Sequence, residues 1–282
     1  MKEKIRVWKI RQGSPNAEPA TCGDEVESFD QASKILPQGV YTSFRTYRRT
    51  QVLHVDEHFR RLTEGAELLG HQANIDPLLI RACLRTILQG LAGEDFRMRL
   101  SVDLEDRVGD VYIMAEKLVT PSSMQYQRGV SVLTRPFQRE NPRAKSTRFI
   151  QNSAGYRTLL SKEINEVLLF NPQEEILEGL SSNFYGVSRS ILFTANEGIL
   201  PGITRAVVLE EAQKLPIEIC FTPVRLGEIG RLDEAFLTSA SRAVLPVRQI
   251  DQTKLGAGEP GPVARRLNAA FQARIANELE EI

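Results

Sequence analysis

The sequence lacks long uncharged apolar runs and carries no net charge. The first absence predicts that no segment is a membrane-spanning helix. The second arises because 36 basic and 36 acidic side chains cancel. No overall field therefore attracts a polyanion, and nucleic acid is not an expected partner. No apolar segment follows the mixed charges of residues 1–4, so a secretory leader is not expected either.

Cysteine is scarce, with only Cys22, Cys83 and Cys220 in 282 residues. An odd number of cysteines without C-x-x-C spacing fits reduced thiols better than a disulfide framework or a zinc site. The three histidines also lack metal-ligand spacing, so no metal is expected and we assign them no chemistry. These absences together predict a cytoplasmic protein.

What is present is an ordinary globular composition, with 41% hydrophobic and 26% charged residues. The stretch Thr120-Pro121-Ser122-Ser123 separates two periodic regions, and its proline and serines disfavour a regular element. We therefore predict an N-terminal α/β domain over residues 1–119, an interdomain linker over 120–125 and a C-terminal domain over 126–282. A Gly/Pro-rich stretch at 256–262 precedes a final amphipathic helix.

Both halves show strand and helix patterns, which predicts a mixed α/β (α+β) protein of two domains. In the first half, Asp56 is expected to cap a helix in which Phe59, Leu62 and Ala66 recur at helical spacing. Runs of β-branched and aromatic residues predict strands elsewhere. The predicted strands are 40–47, 97–102, 111–115, 131–133, 166–170, 184–187 and 235–238, and the later helices lie near 153–164 and 204–215.

Four short segments contain residues of possible chemical use, although each alone has an ordinary structural explanation. Lys145 lies in a loop ahead of a helical region, where a lysine is usually just solvated. Glu178 lies at a strand end, where it also fits a polar turn. A glycine-containing turn opens a helix near residue 203, whose free N–H groups suit a phosphate or need only a cap. Residues 239–241 form a small-residue turn whose amides can hold an anion.

The order and spacing of these segments resemble the class IV (fold type IV) pyridoxal-phosphate enzymes. That group includes branched-chain aminotransferases, D-amino acid aminotransferases and aminodeoxychorismate lyases. The resemblance runs from about Gly39 onward, and residues 57–62 (EHFRRL) are similar to the family's E-H-x-x-R-L. Residues 250–251 and 256–262 are similar to its I-D…G-x-G-x-x-G-P. The resemblance implies a two-domain D-amino acid aminotransferase-like fold, with pyridoxal 5′-phosphate between the domains and usually a homodimer.

The resemblance also implies roles for individual residues in the cofactor-binding C-terminal domain and outside it. Lys145 matches the lysine that forms a Schiff base with the cofactor, which requires an amine kept at least partly neutral. Glu178 matches the carboxylate that keeps the pyridine nitrogen protonated, and Arg61 matches the phosphate-binding arginine. The other residues assigned to the cofactor are Asn183, Ile203, Thr204, Ser239 and Ala240.

Substrate positions follow from strand parity and from the same resemblance. Tyr41 and Arg45 share one face of a strand, as do Arg97 and Arg99 of another. An arginine there can bind a carboxylate in a bidentate manner or lie on a solvated strand face. The predicted substrate-binding residues are Tyr41, Arg45, Arg97, Arg99, Ala240 and Ser241.

The sequence departs from the family patterns in three places. Ala240 replaces a common threonine, which removes a hydroxyl contact of about 1 kcal/mol but leaves the amide. Ile150 stands where branched-chain enzymes have a tyrosine, which weakens that specificity. Thr42-Ser43 looks more like the lyase pattern than like either aminotransferase pattern.

The predicted function is that of a pyridoxal-phosphate-dependent aminotransferase acting on an amino acid and a 2-oxo acid. An aminodeoxychorismate lyase that releases pyruvate and a D-amino acid or amine transaminase remain as alternatives. A cofactor-binding protein without turnover is a further alternative, although such a protein has no need of Lys145 and Glu178 together. The stereochemistry and identity of the substrate do not follow from the sequence.

Overall fold

The computed structural model describes residues 5–20 and 26–282, so Cys22 lies outside the described part. The chain divides into two compact units. The first comprises the described residues up to Val119, together with Arg143–Asn152 and Glu278–Ile282, and the second comprises Thr120–Pro142 and Ser153–Asn277. The segment that carries Lys145 thus belongs to the first unit, whereas the sequence prediction had assigned it to the C-terminal domain.

Helices and strands alternate along the whole described chain, in agreement with the predicted α/β class. The strands are β1 (Arg6–Ile10), β2 (Ala17–Pro19), β3 (Gly39–Arg45), β4 (Gln51–Leu53), β5 (Phe96–Asp103), β6 (Val111–Lys117), β7 (Val130–Pro136), β8 (Ile164–Phe170), β9 (Ile176–Gly179), β10 (Asn183–Ser188), β11 (Ile191–Phe193), β12 (Ile219–Cys220), β13 (Glu234–Ser239), β14 (Ala243–Ile250), β15 (Thr253–Lys254) and β16 (Leu279–Glu281). The helices are α1 (Phe29–Ile35), α2 (Val55–Leu68), α3 (Pro77–Gln89), α4 (Ser123–Arg128), α5 (Thr147–Asn152), α6 (Ala154–Arg157), α7 (Ile203–Lys214) and α8 (Pro262–Glu278), with a 3₁₀ helix at Leu226–Arg231. No helix in the described ranges has the length and hydropathy of a membrane span.

The first unit is built on an antiparallel sheet with the strand order β2-β1-β6-β5-β3. Alternate side chains of β3, such as Val40 and Phe44, join a core with α2 and α3 residues, including Leu62 and Leu84. Tyr41 and its neighbours at alternate positions therefore lie on the other face of the sheet. That face carries most of the polar residues predicted to bind substrate.

The start of α2 differs from the predicted cap. His54, in a left-handed conformation, is the N-cap residue, and Asp56 lies inside the first helical turn. The prediction that Asp56 caps the helix is wrong; its carboxylate instead accepts a hydrogen bond from Arg81 at 2.7 Å. An acidic side chain in the first turn still interacts favourably with the helix dipole.

The second unit contains a sheet with the order β12-β11-β10-β13-β14-β7-β8-β9. The pairs β14–β7 and β7–β8 are parallel. Strand β9 pairs with β8 and also with β10, through Glu178 and Asn183. Strands β10, β13, β14, β7, β8 and β9 therefore form a closed ring around apolar residues such as Val132 and Phe184. Glu178 lies where that ring closes.

Two local predictions in this unit were wrong. Residues 123–125 of the predicted linker are helical, because Ser122 and Gln125 form a capping box that starts α4. The Ser122 hydroxyl accepts the Gln125 N–H at 3.3 Å, and the Gln125 side chain accepts the Ser122 N–H at 2.8 Å. The helix predicted near 153–164 is only the short α6, and a strand begins at Ile164.

Helix α8 follows the Gly/Pro-rich stretch, as predicted, and a buried carboxylate binds its N-terminus. Glu234 of β13 accepts the N–H groups of Val263 at 3.0 Å and Ala264 at 2.9 Å. A Cβ atom at Gly261 would overlap this carboxylate. The helix start is therefore anchored to the sheet by a charged hydrogen-bond acceptor.

We predict that Glu234→Ala lowers the free energy of unfolding by about 2 kcal/mol, because two amides of α8 lose their acceptor. Urea unfolding followed by circular dichroism measures the change. Glu259→Ala is the matched control, since this exposed carboxylate lies just before the same helix. Equal stability of the two variants would contradict the capping role.

Candidate active site

The segment that carries Lys145 is held against the first residues of β3. The Tyr41 N–H donates to the Lys145 carbonyl oxygen at 2.8 Å. The hydroxyl of the fully buried Thr147 accepts the Gly39 N–H at 2.9 Å and donates to the Gly39 carbonyl at 3.2 Å. These bonds fix the chain from the Lys145 carbonyl to Thr147 against β3 within the first unit.

The side chains of Lys145, Tyr41 and Arg99 come together. The Lys145 Nζ lies 5.0 Å from the centroid of the Tyr41 ring, and the Arg99 Cζ lies 4.6 Å from it. Both distances suit cation–π contacts, and the Tyr41 side chain is buried. The Tyr41 ring therefore contacts both Lys145 and Arg99, two side chains that the sequence analysis assigned to the cofactor and substrate site.

Arg99 is a buried residue and does not lie on a solvated strand face, which overturns that alternative for this position. Its Nε donates to the Ser43 hydroxyl at 3.2 Å, and its Nη1 donates to Asp30 at 3.0 Å and to Ser33 at 2.9 Å. Burial lowers the pKa of the Arg99 guanidinium, while Tyr41 and Asp30 oppose the shift. These bonds orient the guanidinium at the Tyr41 ring.

The other two arginines on this face have acidic partners. Arg45 donates to Asp95 at 3.0 Å and lies 4.1 Å from the centroid of the Tyr47 ring. Arg97 donates to Glu116 at 2.7 Å. A carboxylate ligand would have to compete with these ion pairs, and the role of Arg45 and Arg97 in substrate binding stays a prediction.

His58 is a buried histidine beside this cluster, and the sequence analysis gave it no chemistry. A 2.7 Å hydrogen bond joins its Nδ1 to the Thr42 hydroxyl. Burial holds the pKa of His58 well below its ordinary 6.5, and the charges of Arg61 and Lys145 act in the same direction. The imidazole is therefore neutral at pH 7. Its place in the E-H-x-x-R-L motif was the sequence signal that could have identified it.

Arg61 also belongs to this cluster in the first unit. Burial lowers the pKa of its guanidinium to about 10, and Glu57 and Glu64 partly oppose this shift. The group remains a cation at neutral pH. Because His58 stays neutral, it adds no third positive charge to those of Arg61 and Lys145.

The lowered pKa of His58 makes stability depend on pH. The unfolded chain takes up a proton on this residue below about pH 6.5, whereas the folded chain resists it. We predict that the free energy of unfolding falls as the pH drops from 6.5 to 5.5, with a His58 contribution of up to about 1.4 kcal/mol per pH unit. Urea titrations at several pH values measure this slope.

His58→Gln, which can keep a hydrogen bond to Thr42, should show a smaller slope than the unchanged protein. His71→Gln, which removes a histidine beyond the end of α2, is the control and should keep most of the slope. An identical slope in the His58 variant would contradict the assignment.

In the second unit, Glu178 forms a buried ion pair at the end of β9. Its Oε1 lies 2.6 Å from the Nε of Arg139, and its Oε2 accepts the Leu200 N–H at 3.1 Å. Both charged side chains are buried. Sequence reasoning missed Arg139, because nothing in its local pattern distinguishes it from a solvated loop arginine.

Asn183 holds the loop that leads into α7. It faces Glu178 across the β9–β10 ladder, and its side-chain amide donates to the Leu200 carbonyl at 2.8 Å. A Cβ atom at Gly202 would overlap the Asn183 side chain, so this N-cap position requires glycine. Glu178 and Asn183 thus bind the N–H and the carbonyl of the same loop residue.

Helix α7 begins at Ile203, with the buried Thr204 next to it. Within the described residues, no side chain caps this end and its first turn contains no acid. Its amides therefore remain suited to an anion. The turn at residues 239–241, which joins β13 to β14, is the other predicted anion-binding segment of this unit.

The structure thus groups the predicted residues into two sets, each within one unit. The first unit supplies an amine, a phenol and guanidinium groups, and the second supplies a buried carboxylate and a free helix start. These groups fit the aldehyde, phosphate and ring nitrogen of pyridoxal phosphate. The set in the first unit is Tyr41, Arg61, Arg99 and Lys145. The set in the second unit is Glu178, Asn183, Ile203, Thr204 and residues 239–241.

Thr42 and Ser43, which kept the lyase alternative open, both have packing partners. Thr42 bonds to His58, and Ser43 accepts a hydrogen bond from Arg99. Both hydroxyls therefore orient neighbouring side chains, and their presence is explained without lyase chemistry.

The family described as Amino-transferase class IV matches residues 39–250. This chain therefore belongs to the class IV aminotransferases, a family of pyridoxal-phosphate-dependent enzymes that act on amino acids and 2-oxo acids. The predicted family and the aminotransferase function are confirmed, and the lyase alternative is not favoured.

The relatives have two different names. The chain is 23% identical over 292 residues to a branched-chain-amino-acid aminotransferase of Pseudomonas aeruginosa, with 92% of each chain covered. It is 27% identical over 264 residues to a D-alanine aminotransferase of Bacillus licheniformis, covering 85% of this chain and 88% of the relative. The solved branched-chain amino acid aminotransferase of Escherichia coli shares the fold, with a TM-score of 0.78, 20% identity and 99% of each chain covered.

Proposed function

We propose that this chain binds pyridoxal 5′-phosphate through a Schiff base at Lys145 and transfers an amino group between an amino acid and a 2-oxo acid. The observation that carries the proposal is the fixed position of Lys145. Its main chain is bonded to β3, and its amine lies over the Tyr41 ring. A solvated loop lysine has no reason for such attachment, whereas a reactive amine must be held in one place.

Arg61 and the start of α7 are the proposed phosphate ligands. A guanidinium can grip two phosphate oxygens, and the amides of Ile203 and Thr204 add hydrogen bonds favoured by the helix dipole. The neutral His58 beside Arg61 leaves the negative charge of the phosphate to be balanced by Arg61 and Lys145. Asn183 supports this arrangement by holding the loop before α7.

Glu178 is the proposed partner of the ring nitrogen. A carboxylate has about four lone-pair sites on its two oxygens, which is more than the Arg139 ion pair and the Leu200 hydrogen bond require. Glu178 would hold a proton on that nitrogen, while Arg139 and Leu200 keep the carboxylate in position. Bound pyridoxal phosphate supplies an electron-withdrawing ring that stabilises negative charge at Cα. Lys145 would accept the Cα proton of the amino acid as a general base.

Tyr41 and Arg99 are proposed to bind the substrate, as are Ala240 and Ser241. Chirality is not assigned, because one relative is named for branched-chain amino acids and another for D-alanine. The buried Ile150 occupies the position at which a tyrosine is expected in a branched-chain enzyme. A spectroscopic half-reaction screen of L- and D-amino acids will identify the substrate class. The homodimer and the cytoplasmic location predicted from the sequence are part of the same proposal.

We predict that the purified protein reconstituted with pyridoxal phosphate absorbs visible light and that borohydride reduction attaches cofactor mass to Lys145. Peptide mass spectrometry identifies the labelled residue. Lys145→Ala should lose the label, whereas Lys162→Ala, which removes an exposed lysine of the second unit, should keep it. Labelling at another lysine would refute the assignment of Lys145.

We predict that Glu178→Gln slows the transfer of the Cα proton by about a hundredfold or more, because glutamine cannot hold a proton on the ring nitrogen electrostatically. Stopped-flow spectroscopy of the half-reaction measures this rate in cofactor-saturated protein.

The buried Arg139 would lose its partner in that variant, so the double variant Glu178→Gln/Arg139→Gln separates stability from chemistry. The double variant removes both charges and should fold, yet it should remain as slow as the single variant. Recovery of the rate in the double variant would show that Glu178 only balances the charge of Arg139.

A further inference from the structure

Arg242 connects two turns of the second unit. Its side chain is only 13% exposed. Its Nε donates to the Ser239 hydroxyl at 3.1 Å, its Nη1 to Asn165 Oδ1 at 3.2 Å, and its Nη2 to Glu166 Oε2 at 2.8 Å and to the Ser181 hydroxyl at 2.6 Å. One planar guanidinium thus reaches the turn after β13 and the turn after β9.

Glu166 of β8 is the buried counter-ion in this network. Its Oε2 accepts hydrogen bonds from the Ser181 hydroxyl at 2.8 Å and the Ser182 hydroxyl at 3.0 Å, and its Oε1 accepts the Val167 N–H at 3.1 Å. Burial by itself would raise the pKa of this carboxyl, but the charge and hydrogen bond of Arg242, with the Ser181 hydroxyl, hold it below its ordinary value. The carboxylate is therefore charged at neutral pH.

The same carboxylate packs against the residue that follows Glu178. A Cβ atom at Gly179 would lie 2.8 Å from Glu166 Cγ and 2.4 Å from the Ser182 hydroxyl. Only glycine leaves room for both. The network therefore packs against Gly179, the last residue of β9, and reaches the turn that begins at Ser239.

A buried ion pair is in general not the most stable way to fill space inside a protein. Apolar side chains of similar volume are often as stabilising, because they avoid the desolvation of two charges. What a guanidinium provides in addition is a rigid fork that fixes the direction of several acceptors at once. The fork in this unit joins the two turns that flank proposed ligand-binding residues.

We propose that Arg242 is a positioning residue. Its pairing with Glu166 fixes the guanidinium in place, and the guanidinium sets the conformation of the turn at residues 239–241 so that the amides of this turn bind an anionic group. This inference rests on the proposed function. The anionic group is the cofactor phosphate or the amino acid carboxylate, and the experiment separates the two. Arg242 itself need not touch either ligand, because it acts through the Ser239 side chain and the turn.

Two variants test the inference. Arg242→Lys keeps a positive charge beside Glu166, but a single ammonium cannot bond to Ser239 and Ser181 with the geometry of the fork. Glu166→Gln/Arg242→Gln removes both charges, so that no buried charge is left without a partner. Arg248→Lys, an exposed arginine on β14, and Glu163→Gln, an exposed carboxylate before β8, are the matched controls.

Three quantities are measured for each variant: the dissociation constant of pyridoxal phosphate, that of pyridoxal without phosphate, and KM and kcat for the best amino acid found in the screen. Arg242→Lys and the double variant should weaken pyridoxal phosphate binding or raise KM about tenfold, with kcat within about twofold in saturated enzyme. Weaker binding of pyridoxal phosphate but not of pyridoxal identifies the phosphate as the anion. A raised KM identifies the carboxylate.

The inference is overturned if both folded variants keep these constants within about twofold of the controls. It is also overturned if both variants fail to fold, since the pair is then a stability element, or if the double variant regains the affinities that Arg242→Lys loses. A failure of the proposed function is distinguishable, because the unchanged protein would then bind no pyridoxal phosphate and show no label at Lys145.

Discussion

The hydrogen bonds between β3 and the segment at residues 145–147 decide where the Lys145 amine lies. They draw Lys145 into the first unit, although the chain on either side of residues 143–152 belongs to the second. The Tyr41 N–H and both backbone groups of Gly39 are the attachment points. Because these are main-chain groups, the attachment depends little on the side chains of β3. Those side chains are then free to shape the surroundings of the amine.

Both units use buried charge, but they balance it differently. In the first unit, Arg61, Arg99 and Lys145 lie near the neutral His58 and the Tyr41 ring, and Asp30 is the acidic partner of Arg99. In the second unit, Glu178 and Glu166 each have a guanidinium beside them, Arg139 and Arg242 respectively, whereas Glu234 is bound by two amides of α8. This difference in charge balance follows from which charged residues each unit buries.

Local signals predicted the amphipathic helix α2, the helix start at Ile203 and seven of the strands, because spacing and turn residues act over a few positions. These strands are β3, β5, β6, β7, β8, β10 and β13. The ordered motifs then gave Lys145 and Glu178 their expected roles. The buried ion pairs of Arg139 and Glu166 were not predicted, since their partners lie far away in the sequence and no periodic pattern indicates such pairs. Helix α4 was not predicted for a different reason. Pro121 disfavours a helix at its own position, whereas the capping box of Ser122 and Gln125 starts a helix two residues later.

Strand β16 pairs with β4, and the nearby Ile282 is buried in the core of the first unit, where its N–H donates to the Thr50 carbonyl at 3.0 Å. During synthesis the ribosome releases residues 5–119 long before it releases these residues. The first unit therefore cannot acquire its complete core while the chain is still growing, and it must wait until nearly the whole described sequence has emerged. The second unit likewise extends to Asn277, so neither unit has all of its described residues until the last stage of synthesis.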